Sequence, residues 1–370
     1  MTTRAGDPGW QVTRYDEVKA LLSDPRLGRS HPEPDRAARA SQSAIFGGPV
    51  GDPETEHAAH VRMRRLLGPS FSARQMNQLR PRVRDLVAKL LDDLGRHTPP
   101  TDFHEVVAFP LPALVICELL GVPFADRDDF RRWSDDAGHM ADAQRAQSGL
   151  LRLWEYMRAL VDRKRSEPGD DVISHLIAAS DEDGGDDLDG VAMLSAGLLF
   201  AGHETTVAAI DHGVTLLLTN SDQRAALTAD PALIPHAVEE ILRSPSPTES
   251  DARERGDGLP RYAKTDIELG GVTIRAGDLV LLGLRAANRD REHFTDPDRF
   301  DVGRSPNAHM TFGHGPHFCL GAPLARLELQ ELFTALLRRY PGLALAVPVD
   351  QLRERDQLLT GGLEALPVTW

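Results

Sequence analysis

The sequence predicts a mainly α-helical protein with a small β component, and three observations carry that expectation. Apolar residues recur at helical spacing through most of the chain, runs with strand character are short and gather late, and no Pro-, Gly- or Ser-rich linker divides it. A length of 370 residues would by itself suggest two or three domains, at roughly 150 residues each. Without a divider, residues 1–370 read as one domain.

In chain order, Trp10–Thr13 reads as a short strand. Between Leu79 and Leu94, Val83, Leu86, Val87, Leu90, Leu91 and Leu94 form one apolar stripe of a helix. Leu111–Leu120, Leu150–Arg165, Asp171–Ala179 and Pro231–Arg243 read as further helices. The longest apolar stretch, Val191 to Leu218, is long enough to span a bilayer. His203, Glu204, Asp211 and His212 within it would be expensive in lipid. The stretch therefore predicts a buried central helix rather than a membrane span, with the acidic run Asp181–Asp187 before its N-terminus. Asp266–Ile274 reads as a hairpin turning on Gly270-Gly271, and Val280–Leu282 and Leu366–Thr369 as late strands. Residues 181–189 and 244–260 read as surface loops.

Charge and cysteine usage exclude several classes. Lys and Arg number 42 against 56 Asp and Glu, a net charge of −14. Such a chain is a poor general binder of nucleic acid or anionic membrane. Two cysteines, Cys117 and Cys319, cannot build a disulfide framework, and the first residues lack the apolar core of a signal peptide. The expected setting is cytoplasmic. Cys117, in an apolar helical stretch, reads as a packing residue.

Chemistry concentrates in Phe312-Gly313-His314-Gly315-Pro316-His317-Phe318-Cys319-Leu320-Gly321-Ala322-Pro323. Glycines permit a tight loop with inward-pointing amides, and the helix predicted after it would favour a Cys319 thiolate at its positive end. That suits a thiolate metal ligand on a rigid loop. A buried cysteine beside a glycine turn, or a zinc site from His309, His314, His317 and Cys319, are alternatives; the zinc spacing is non-standard.

Phe-x-x-Gly-x-His-x-Cys-x-Gly resembles the haem-binding signature of the cytochrome P-450 superfamily, complete here with Phe312, Gly313, His317, Cys319 and Gly321. The resemblance implies that Cys319 is the axial ligand of the iron of haem b and that His317 contacts a propionate. Ala201-Gly202-His203-Glu204-Thr205-Thr206 looks like the family's oxygen-activating stretch. Its small Ala201 and Gly202 would leave room for cofactor and ligand, and Glu204 and Thr205 would be the acid–alcohol pair that delivers protons. As isolated residues, the pair could equally be a solvated helix face. Glu240-x-x-Arg243 resembles the family's structural network behind the haem loop, with Arg299 as its third member, although any Glu and Arg one turn apart can pair. His60-x-x-x-Arg64 and Arg261 resemble the propionate contacts.

The resemblance runs from Trp10 to Trp370 and is closest to soluble actinobacterial members that tailor secondary metabolites. It implies a P-450 fold with a long central helix over the haem, and a chain short of the family's N-terminal helix and first strand. It implies a monooxygenase, a monomer, that hydroxylates or epoxidises a small hydrophobic substrate such as a polyketide, macrolide, terpene or peptide. Electrons would come from NAD(P)H through a ferredoxin reductase and a ferredoxin, docked by basic residues around Arg62, Arg65 and Arg326. Oxidative coupling, peroxide-driven oxidation and a non-enzymatic haem sensor or electron carrier are the alternatives. The expected substrate linings are Gln42–Val50, the helices around 130–155, Leu198–Gly202, residues 246–250 and Leu358–Gly361.

Overall fold

The computed structural model describes residues 1–43, 45–182, 187–248 and 258–370. Ala44, residues 183–186 of the acidic run and residues 249–257 of the connection after Arg243 lie outside them. The helices are α1 (Tyr15–Leu22), α2 (Glu56–Leu67), α3 (Ala73–Leu94), α4 (Pro110–Leu120), α5 (Arg127–Ala137), α6 (Ala143–Ser166), α7 (Val172–Glu182), α8 (Leu188–Thr219), α9 (Ser221–Ala229), α10 (Ile234–Arg243) and α11 (Ala322–Arg339). The strands are β1 (Trp10–Val12), β2 (Leu27–Gly28), β3 (Thr101–Asp102), β4 (Leu259–Ala263), β5 (Ile267–Leu269), β6 (Val272–Ile274), β7 (Leu279–Leu282), β8 (Ala344–Leu345) and β9 (Pro367–Thr369).

Caps explain where the helices start. α3 begins before its apolar stripe because the Ser72 hydroxyl accepts from the Gln75 N–H, satisfying one of the orphan donors of a first turn. Asp142 does the same for α6 through Arg145 N, and Asp187 for α8 through Gly190 N. α4 ends at Gly121, whose φ of 71° is the left-handed stop that glycine adopts readily.

α8 is the central helix the apolar run predicts. α4, α6, α7 and α10 pack on it, and His203, Glu204 and Asp211 are buried within the protein. Helices α1, α2 and α9 were not predicted. α1 does carry an apolar stripe, Tyr15, Val18, Leu21 and Leu22, whereas α2 buries only Leu67, so its sequence has no stripe to read.

The main sheet has the order β1-β7-β4-β2, with β1 parallel to β7 and the other pairs antiparallel. Its register sets Arg261 opposite Val280. β3, β9 and β8 form a second sheet. The predicted hairpin is present as β5 and β6, turning on Gly270 and Gly271 with φ of 57° and 80°. Positive φ at both positions is what a two-residue hairpin turn of the primed type requires. The largest apolar cluster joins α3, the second half of α8, α10 and α11; another joins α4, α6, α7 and the first half of α8.

Candidate active site

The cysteine loop is built by backbone geometry. Gly313 and Gly315 have φ of 72° and 69°, and a Cβ on Gly315 would lie 2.2 Å from Ser23 Oγ. Only glycine fits there. Cys319 N donates to Phe312 O at 2.8 Å, closing the loop. Cys319 is exposed and stands just before α11. Protein atoms around it push the thiol pKa up, while the Gly321 and Ala322 N–H groups, Arg64 and Arg326 act in the opposite direction. Arg326 lies over the Phe312 ring at 4.5 Å. Cys117, in contrast, is buried in α4 and its thiol is pushed up to about 12 by burial.

Basic residues converge beside this loop. Arg64 Nη1 donates to Phe318 O at 2.8 Å, and the His60 and His317 rings lie 4.0 Å apart. Arg261 is buried on β4; burial and the nearby Arg29 push its pKa down to about 10. Burial, His60 and Arg261 push His317 down to about 4. Glu56 is the acid of this cluster, and it is engaged by Arg29 N at 2.6 Å and Ser30 Oγ at 2.5 Å. Arginines crowded and desolvated in this way, beside imidazoles pushed away from their charged form, are short of anions. The two carboxylates of haem b supply that deficit, so the residues present fit the cofactor. Arg29 was missed in the sequence because a lone arginine after a two-residue strand has no pattern.

On α8, Ala201 and Thr205 are exposed although His203, Glu204, Thr206 and Val207 are buried. The middle of this core helix therefore leaves one face uncovered by protein. Thr205 Oγ1 donates to Ala201 O at 2.7 Å, the back-bond to the preceding turn expected of a mid-helix threonine. Gly202 departs from expectation. A Cβ there would meet Ile116 Cδ1 at 2.9 Å, so its small size lets α8 approach α4 rather than making room for a ligand.

Glu204 is nearly sequestered, at 4% exposure. His203 Nδ1 lies 3.1 Å from Glu204 Oε1 and Arg355 Nη1 lies 4.0 Å from Glu204 Oε2. The first contact is oblique, since His203 ring nitrogens make no hydrogen bond, and the second is too long for one. Burial opposes the carboxylate's charge, but His203, Arg355 and Arg131 together hold its pKa below the usual carboxylate range.

Glu240 pairs with Arg243 through bonds of 2.8 Å at both oxygens. The third member of the network is Arg304 rather than Arg299: Arg304 Nε donates to both Glu240 oxygens at 3.0 Å. Arg299 contributes its carbonyl, which accepts from Arg304 Nη2 at 3.0 Å. Each arginine closes a turn of its own, Arg299 N donating to Asp296 O and Arg304 N to Asp301 O, and spacing alone could not tell which side chain points inward. The expected docking patch is also less free than predicted, because Arg326 is bound to Glu239 by two bonds of 2.7 Å and Arg62 lies 3.6 Å from Asp187.

An exposed loop cysteine beside a cluster of arginines is the arrangement a haem-thiolate protein needs, and comparison with known proteins agrees. The family model "Cytochrome P450" matches residues 233–351. Pentalenolactone synthase of Streptomyces exfoliatus is 45% identical over 99% of this chain and 91% of its own length. Mycinamicin IV hydroxylase/epoxidase of Micromonospora griseorubida is 43% identical over 99% and 90%. The solved structure of PimD, a pimaricin epoxidase, superposes with a TM-score of 0.86 at 42% identity, covering 100% of this chain and 92% of that one. The chain belongs to the cytochrome P-450 family. It is a haem b monooxygenase of the secondary-metabolite tailoring kind.

Proposed function

We propose that the protein, acting as one catalytic domain, inserts one atom of dioxygen into a small hydrophobic natural product of the polyketide or macrolide type, by hydroxylation or epoxidation. The named activities of the mycinamicin and pimaricin enzymes support that substrate class. Electrons would reach it from NAD(P)H through a reductase and a ferredoxin. The observation that carries the reading is Cys319, exposed on a loop that positive-φ glycines turn and a backbone bond from Cys319 N to Phe312 O closes.

Haem b, when bound, supplies the redox chemistry and the oxidising power. Cys319 would hold the iron, and the Gly321 and Ala322 N–H groups temper the charge on its sulfur. Arg64, Arg261, His60 and His317, joined by Arg29, would bind the two propionates and fix the ring's orientation. Ala201 and Thr205 would face the ligand side, where the Thr205 hydroxyl, donating to Ala201 O, keeps its lone pairs available for water. Glu204, one residue before, would hand protons to that hydroxyl or water.

A carbon monoxide difference spectrum of the reduced protein tests the ligand. Wild type gives the red-shifted Soret band of thiolate ligation, and Cys319→Ser loses it. A band typical of imidazole or neutral thiol in the folded wild type overturns the assignment. Labelled dioxygen then separates insertion from coupling, because coupling leaves the product unlabelled.

A further inference from the structure

Arg355 lies outside every motif of the sequence, yet it is the cation nearest the buried end of Glu204. Its Nη1 is 4.0 Å from Glu204 Oε2, and its Nη2 forms an ion pair with Asp135 Oδ1 on α5. The pair is mostly buried, with side-chain exposures of 17% and 21%. One guanidinium is thus divided between two carboxylates from two different elements, in a medium where charge is poorly screened.

The surrounding backbone shows what those elements do. Leu359 N donates to Gly138 O at 2.9 Å and Met140 N to Gln357 O at 2.8 Å. His139 and Leu358 form an isolated bridge. Gln42 N donates to Met140 O at 2.9 Å, extending the seam to a third segment. Three of the stretches expected to border the substrate are therefore sewn together, and Asp135 lies three residues before the start of the seam.

We infer that Arg355 is a positioning residue for Glu204, and that Asp135 ties it to closure of the seam between residues 138–140 and 357–359. With the seam closed, Arg355 is held where it faces Glu204. Parting the seam carries Asp135 and Arg355 away from each other and removes the cation from the proton-handling acid. Proton supply is then matched to a closed entrance. The charged and titratable groups facing Glu204 are His203 on its own helix, Arg131 and Asp135 from α5 and Arg355 from the C-terminal loop. Two acids competing for one cation have opposite outcomes: Asp135 is pushed up by burial and by the Glu204 charge, while Glu204 is held down.

The inference rests on the monooxygenase reading, and its test uses the haem-loaded protein with that reading checked separately. Wild type, Arg355→Gln, Arg355→Lys, Asp135→Asn, Glu204→Gln and the Arg355→Gln/Glu204→Gln double variant are compared. Two quantities are followed: the rate of imidazole entry, from the Soret shift in stopped flow, and hydrogen peroxide released per NADPH with a ferredoxin and its reductase over the neutral pH range. Asp135→Asn and Arg355→Gln should speed imidazole entry by at least about threefold, the effect of losing a weak latch. Arg355→Gln should raise peroxide loss and move its pH profile upward by about one unit, and Arg355→Lys should largely restore it. In the Glu204→Gln background, Arg355→Gln should add nothing to peroxide loss. Unchanged imidazole entry in Asp135→Asn, no rescue by lysine, or an undiminished Arg355→Gln effect without Glu204 each overturns the inference. If Arg355→Gln does not fold, Asp135→Asn and Arg355→Lys carry the same decision. A wild type without the thiolate carbon monoxide band instead removes the underlying reading.

Discussion

Glu240 and Glu204 are both buried carboxylates beside an arginine, and they are satisfied very differently. Glu240 takes paired bonds from Arg243, two more from Arg304, and others from Asp301 N and Asn307 Nδ2 at 3.1 and 3.0 Å. Glu204 has an oblique imidazole at 3.1 Å and a guanidinium at 4.0 Å. A carboxylate with every lone pair occupied holds elements in place and cannot exchange a proton cheaply. One held by charge at a distance keeps its charge regulated and its lone pairs open. The difference separates a structural acid from a chemical one.

Breaking the first cluster should have the largest effect. Arg243→Leu leaves Glu240 without its principal cation and should cost about 3–5 kcal/mol, read as a fall in the urea midpoint and as haem loss. Glu204→Gln should instead leave the urea midpoint nearly unchanged while product formation falls roughly 100-fold. Equal stability losses in the two variants would erase the distinction between a structural and a chemical acid.

A third buried pair sharpens the comparison through pH. His104 Nδ1 and Asp211 Oδ2 lie 2.8 Å apart, both almost fully buried. Burial opposes the imidazolium, but the Asp211 bond and charge win and raise the His104 pKa; burial raises that of Asp211. Each folded value lies above its unfolded one, so the folded state binds protons more tightly. His104's share of the stabilisation is present below about pH 6.5, the unfolded imidazole value, and is lost as pH rises through the folded value. Thermal midpoints measured upward from that pH should fall less steeply in His104→Gln than in wild type. The smallest effect belongs to a simple cap: Ser72→Ala should cost about 1 kcal/mol of stability without altering the carbon monoxide spectrum.

Much of this was legible beforehand where local pattern suffices. The buried run became α8, Gly270-Gly271 became a turn, and glycines around Cys319 became a positive-φ loop. Each depends on neighbours within a few residues. Arg304, Arg29 and Arg355 were not legible, because an arginine in a loop looks the same whether it faces water or a buried acid. Gly202 was misread for the opposite reason: the partner that requires it, Ile116, lies on another helix.

By itself the sequence determined the class of chemistry, since a thiolate loop, an acid–alcohol pair and a buried helix are written in contiguous residues. Only the tertiary structure decided which charges meet. Ion pairing depends on separations of a few ångströms between residues more than a hundred positions apart, as Glu204 and Arg355 are. Periodicity and spacing carry no information at that range; packing does.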